Sequence, residues 1–153
     1  MARRPDRAGR ARSVSRKLAM QALYQWQLTG QTAAELRNQY STEEGFGDAD
    51  AEYFRELIDG VTEAAVALDA ELGALIDRPV VQLDPVEHAV LLIGLYELGQ
   101  RPDVPFRVVI NEGVELAKRF GATEGHKFVN AVLDRASRAH RAAEQAAAGA
   151  VRG

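Results

Sequence analysis

Lys17, Gln21 and Tyr24 stand at i, i+4 and i+7, so on a helix they share one face. Lysine is a point charge for phosphate, glutamine can read a base edge, and tyrosine offers a ring for stacking. That mixture suits single-stranded RNA, whose bases are splayed out and accessible. Taken alone, the same three residues also describe a solvated helix face with a half-buried tyrosine. Their neighbourhood bears on the choice, because Arg10, Arg12 and Arg16 precede or join them. Residues 1–20 hold seven cationic side chains against one acid, a net +6, which leaves −9 on the remainder of a chain whose total is −3. A basic end on an acidic body suits a chain whose end meets phosphate, although charge alone serves a solubilising tail as well.

A second candidate lies about a hundred residues later. His126, Lys127 and Phe128 fall in the first turn of a helix, where unpaired N–H groups can face phosphate and Lys127 adds a charge. Phe128 also neighbours Val129, Val132 and Leu133, and by periodicity it belongs with that core stripe. The adjacent Glu124 would repel phosphate. Asn111 and Glu112 fall in an apolar helix and read as scaffold that needs hydrogen-bond partners.

Catalysis and metal binding find little support in the residue pattern. The chain has no cysteine, so disulfides, thiol catalysis and thiolate metal sites are excluded. His88, His126 and His140 are far apart, with no HExxH and no i,i+4 histidine pair. No phosphate-cradling glycine loop follows a strand. Acidic runs such as Glu43–Glu44 fit loops and first helical turns, where the helix dipole favours them. The reading is a non-enzymatic protein without cofactor or metal. No run of eighteen apolar residues occurs and the basic start lacks an apolar core, so a cytoplasmic location is expected.

The elements that must position these residues are helical. At 153 residues and 46% hydrophobic, the chain can bury one domain's core. Residues 1–12, rich in Arg, Gly and Ala, read as a disordered arm. Ser13 or Ser15 then caps a helix to about Thr29, with Ala19, Ala22, Leu23 and Trp26 inward and Gly30 as stop. Thr32 and Glu35 form the capping box of a short helix ending near Tyr40. From Asp48 or Asp50, Phe54, Leu57, Ile58, Val61, Ala65, Leu68 and Leu72 keep one helical period past Gly60. Asp84, Pro85 and Glu87 open a helix through Gln100 that is apolar almost all round and so belongs in the middle of the fold.

From Val104 to Arg135 the pattern is an αα-hairpin. Asp103 caps its first helix, Pro105 suits the first turn, Gly121 ends that helix and Thr123 caps the next. Residues 13–141 are expected to form a single domain and 142–153 an Ala-rich tail that frays. The class is all-α, with about seven helices.

Three runs, in order, resemble the NusB family of transcription antitermination factors. They are SRKLAMQALYQWQL, LYELGQRPDVP and VPFRVVINEGVELAKRFG with HKFVNAVLDR, and the resemblance covers about Arg12 to Ala139. It implies a NusB-like fold of two three-helix bundles packed roughly perpendicular. It also implies binding to the boxA element of nascent ribosomal RNA transcripts, together with the ribosomal small-subunit protein NusE. Membership of the RNA polymerase antitermination complex follows from the same likeness, while a homodimer stays open.

On this reading Arg10, Arg12, Arg16, Lys17, Gln21, Tyr24, Lys127 and Phe128 are the RNA-binding candidates, the last two because the family's HKF segment lies beside the RNA surface. Glu87, Tyr96 and Arg101, taken as the exposed groups of the apolar helix, are the partner-binding candidates. Two other classes remain: a helical protein–protein adaptor, and an RNA-recognition module like the N-terminal part of ribosomal RNA cytosine methyltransferases. With no catalytic cysteine and no methyltransferase domain following Gly153, this chain is not expected to methylate by itself.

Overall fold

The computed structural model describes residues 7–152, which form eight α-helices, two short 3-10 helices and no strand. The helices are α1 (Arg7–Thr29), α2 (Ala33–Tyr40), α3 (Ala51–Glu63), α4 (Ala65–Leu75), α5 (Pro85–Gln100), α6 (Phe106–Phe120), α7 (Gly125–His140) and α8 (Ala142–Arg152). They fall into two compact units, the first ending at Ala64 and the second starting at Ala65.

In the first unit α1 lays Leu18, Ala19, Met20, Ala22 and Leu23 against the buried stripe of α3, Tyr53, Phe54, Leu57, Ile58 and Val61. The expected start of α1 needs correction. Ser13 and Ser15 are not caps, because their hydroxyls donate back to the Gly9 and Ala11 carbonyls inside the helix. Residues 7–12, expected to be disordered, form its first turns, while Met1–Asp6 of the arm lie outside the described residues. Tertiary contact explains the extension. Ser15 Oγ donates to the Asp50 carbonyl at 2.7 Å, and the Asp50 N–H donates to the Ala11 carbonyl at 3.2 Å. Propensity in an Arg- and Gly-containing run is a weak prior that such anchoring overrides. The Thr32–Glu35 capping box forms as read, and Leu36 and Tyr40 are buried.

The long helix expected from residue 50 to beyond 72 is two helices. Backbone geometry leaves the α region at Ala64, with φ −96° and ψ 9°. The hydrophobic period runs through this point, but α3 serves the core of the first unit and α4 that of the second. Periodicity reports that a face is buried and does not report against which neighbour.

In the second unit α5 is buried nearly all round, as its composition requires, and packs against α4, α6 and α7. Close approach depends on two glycines. A Cβ on Gly94 would stand 2.6 Å from Leu133 Cδ2, and one on Gly113 would stand 2.9 Å from Leu133 Cδ1. Leu133 of α7 therefore fills the space that side chains on α5 and α6 would occupy.

Two caps differ from expectation. Asp103 does not cap α6; the N-cap is Pro105, and the Phe106 N–H donates to Glu144 Oε2 at 2.9 Å. Thr123 does not cap α7; Glu124 occupies that position in the left-handed region at φ 67°, with no side-chain cap. The tail from Ala142, expected to fray, is the helix α8, and its Glu144 supplies the missing cap of α6. Among the described residues no helix is long and apolar enough to cross a membrane, and no cluster of His, Asp or Glu could hold a metal ion.

Candidate nucleic-acid interface

The helical period sorts the cations of α1 onto two faces. Arg10, Val14, Lys17, Gln21, Tyr24 and Leu28 follow one another at steps of three and four, on one stripe. That stripe reaches solvent: Arg10 is exposed, Lys17 and Gln21 are half-buried, and Tyr24 is 39% and Leu28 61% exposed. Arg12 and Arg16 point away from it. Arg12 stacks 4.4 Å over the Tyr53 ring and lies 4.0 Å from Asp50, and Arg16 sits 5.4 Å over the same ring. Arg16 is only 3% exposed, which corrects the expectation of a surface cation. A guanidinium is weakly hydrated and planar, so an aromatic face can hold it at less cost than an ammonium.

The second candidate region belongs to the other unit. Lys127 is exposed and pairs with Glu124 at 2.5 Å. An exposed pair of this kind holds its charges weakly, leaving the lysine available to a phosphate. Phe128 is half-buried, with the Arg78 guanidinium 4.4 Å over its ring. It is neither wholly core nor a bare stacking platform. Arg78, past the end of α4, was not among the candidates read from the sequence.

The NusB family model matches residues 13–138, which include Lys17, Gln21, Tyr24, Lys127 and Phe128. The chain belongs to the NusB family. It is 53% identical over 139 residues to the transcription antitermination protein NusB of Halorhodospira halophila, covering 90% of this chain and 89% of that protein. Identity to the NusB of a Marinomonas strain is 50% over 147 residues, covering 95% and 84%. Among solved structures, T. maritima NusB matches with TM-score 0.73 at 27% identity, over 82% of this chain and 89% of that one. A NusB solved as "Antitermination Factors NusB and NusE in complex with dsRNA" matches with TM-score 0.72 at 28% identity, over 83% and 96%. The all-α, NusB-like fold follows from these matches and from the helices themselves.

The candidates for a protein partner in this NusB-family chain are placed unevenly. Glu87 is 7% exposed, so it is not the surface group expected from its place in the first turn of α5. Its carboxylate accepts from the Ala122 N–H at 3.4 Å and packs against Gly125, bracing the link between α6 and α7. Burial, and next the Asp84 charge, push its carboxyl above the ordinary range, opposed by the Ala122 N–H and the Arg78 charge. Tyr96 is half-buried. Arg101 forms a fork with Asp103, Nε to Oδ1 at 3.0 Å and Nη2 to Oδ2 at 2.9 Å, on a turn whose Pro102, Asp103 and Pro105 are exposed.

Sequence reasoning missed Arg141. It is 7% exposed, and its guanidinium donates to the carbonyls of Glu97, Leu98, Arg101 and Val104. Nothing in an Ala-rich run without an apolar stripe distinguishes such an arginine from a solvated one.

Proposed function

We propose that this chain is a non-enzymatic, RNA-binding transcription antitermination factor of the cytoplasm. It binds the boxA element of nascent ribosomal RNA transcripts together with NusE and joins RNA polymerase in the antitermination complex. The observation that carries this reading is the solvent-facing stripe Arg10–Lys17–Gln21–Tyr24 on α1, in a chain that matches a NusB solved with NusE and double-stranded RNA. A cation row beside an aromatic ring is what backbone contact and base stacking require. Lys127, with the ring of Phe128 under Arg78, is the second contact, and the Arg101–Asp103 turn with Tyr96 is the NusE surface.

The test is RNA binding at fixed salt, with boxA and scrambled RNA, in the presence and absence of NusE. Tighter binding of boxA that strengthens further with NusE supports the reading. Equal and weak binding of both RNAs with NusE bound would leave a protein–protein adaptor. Affinity for RNA should fall steeply with salt, because neutralised phosphates release counterions.

A further inference from the structure

The segment between α5 and α6 is short and sharply turned. The Val104 N–H donates to the Arg101 carbonyl at 3.0 Å, Val104 is 4% exposed, and Arg101, Pro102, Asp103 and Pro105 surround it. The turn is also held from outside. Arg141, at the junction of α7 and α8, reaches under it with every donor it has. Nε donates to the Leu98 carbonyl at 2.9 Å. Nη2 donates to the Glu97 and Arg101 carbonyls at 3.3 and 2.8 Å, and Nη1 to the Val104 carbonyl at 2.9 Å. The remaining Nη1 hydrogen meets Glu144 Oε1 at 2.7 Å, so all five N–H groups of the fork are occupied.

The acceptors are the points where the chain leaves α5 and turns into α6. The Leu98 carbonyl belongs to the last turn of α5, which an α-helix leaves without partners, and the Glu97 carbonyl, which already accepts from the Arg101 N–H at 2.9 Å, takes a second bond. Those of Arg101 and Val104 belong to the turn itself. Glu144 completes the arrangement with its other oxygen, accepting the orphan N–H of Phe106 at the start of α6. Partial burial pushes the Glu144 carboxyl up, and the Phe106 N–H and the Arg141 hydrogen bond outweigh this and hold it below the ordinary range. Arg141 and Glu144 both lie beyond the family match, which ends at residue 138.

We propose that Arg141, at the junction of α7 and α8, and Glu144, in α8, act as positioning residues that fix the Arg101–Asp103 turn in its partner-competent shape. This rests on the reading above that the turn belongs to the NusE surface. Beyond the buried Val104, a turn of two prolines and a partly exposed fork has little packing of its own, so without Arg141 it samples other shapes. The partner then meets the competent one only part of the time, and apparent affinity drops by that fraction.

The experiment uses the full chain with Arg141→Ala, with Glu144→Ala as a gentler variant should the first fail to fold. A third variant, Arg101→Glu with Asp103→Lys, replaces the fork by an ion pair of inverted charge. The Arg141 and Glu144 variants should exchange the Val104 and Phe106 amide hydrogens faster. They should bind NusE about tenfold more weakly, as when the competent turn falls to about a tenth of the population. Binding of boxA RNA alone should be unchanged. Weakening by the inverted pair with no change in exchange or NusE affinity for either the Arg141 or the Glu144 variant overturns the positioning role and leaves the NusE surface standing. Full NusE binding by the inverted pair overturns the surface itself, and the positioning role with it.

Discussion

The Glu87 carboxylate packs against the Cα of Gly125, in the space that any side chain at position 125 would need. One acid on α5 and one glycine at the start of α7 thus fix each other. Together with the Ala122 N–H on the same carboxylate, they set the entry of α7, where Lys127 and Phe128 stand. Gly125→Ala should push a methyl group into the carboxylate and lower stability by about 1–3 kcal/mol, the usual cost of overpacking. Glu87→Ala should remove most of that added penalty, so a double-mutant cycle should show coupling between the two sites. Additive losses in thermal melts would mean that the carboxylate swings aside freely.

The same burial makes Glu87 a source of pH dependence. Its folded-state carboxyl is raised above the unfolded value, so the folded chain binds more protons in the window between the two. Its contribution to stability is therefore present at pH below the unfolded value and lost as pH rises through the folded one. Glu87→Gln keeps an oxygen for the Ala122 N–H and removes the charge. Its melting temperature should exceed that of the parent chain at neutral pH, with the difference vanishing in acid. Parallel melting curves across the whole range would refute this.

Leu133 is fully buried and wedged beside Gly94 and Gly113. Leu133→Ala should cost about 2–5 kcal/mol, through lost transfer energy and the cavity left behind. Gly94→Ala should also destabilise, because its methyl collides with the leucine. Combining the two should recover stability relative to their sum, as denaturant titration can measure.

Arg10 and Arg16 should behave oppositely. Arg10 is exposed on the Lys17–Tyr24 stripe, so Arg10→Ala should leave the melting temperature unchanged and reduce the salt slope of RNA binding by about one phosphate's worth. Arg16 is buried over Tyr53, so Arg16→Ala should lower stability by about 1–2 kcal/mol, the scale of a desolvated cation–π contact. A salt slope reduced equally by both would place Arg16 at the RNA after all.

Tyr24→Ala should weaken boxA binding by about 1–3 kcal/mol, the size of a base–aromatic stack, without affecting melting. Lys127→Ala should weaken all RNAs alike and shorten the salt slope by about one contact. If both residues touch one nucleotide, the double variant departs from additivity. Strict additivity would assign them to separate stretches of RNA.

How much of this was legible beforehand depends on whether the cause was local. The Thr32–Glu35 box, the Asp84–Pro85 start of α5 and the stop at Gln100 are decided within a few residues, and sequence alone determined them. So is the shared face of Lys17, Gln21 and Tyr24, because helical period is a property of the backbone. The resemblance of three ordered runs determined the family. Tertiary structure decided whatever depends on partners distant in the chain. Asp50 anchors the first turns of α1 and extends it back to Arg7. Tyr53 gathers Arg12 and Arg16 off the Lys17–Tyr24 stripe, dividing a basic run that composition presents as uniform. The hydrophobic period from Phe54 to Leu72 concealed a change of core at Ala64. Glu87 and Arg141 differ most from expectation for one physical reason. A buried charge must find donors or acceptors, and the backbone groups these two meet lie 35 to 44 residues away, beyond any local pattern.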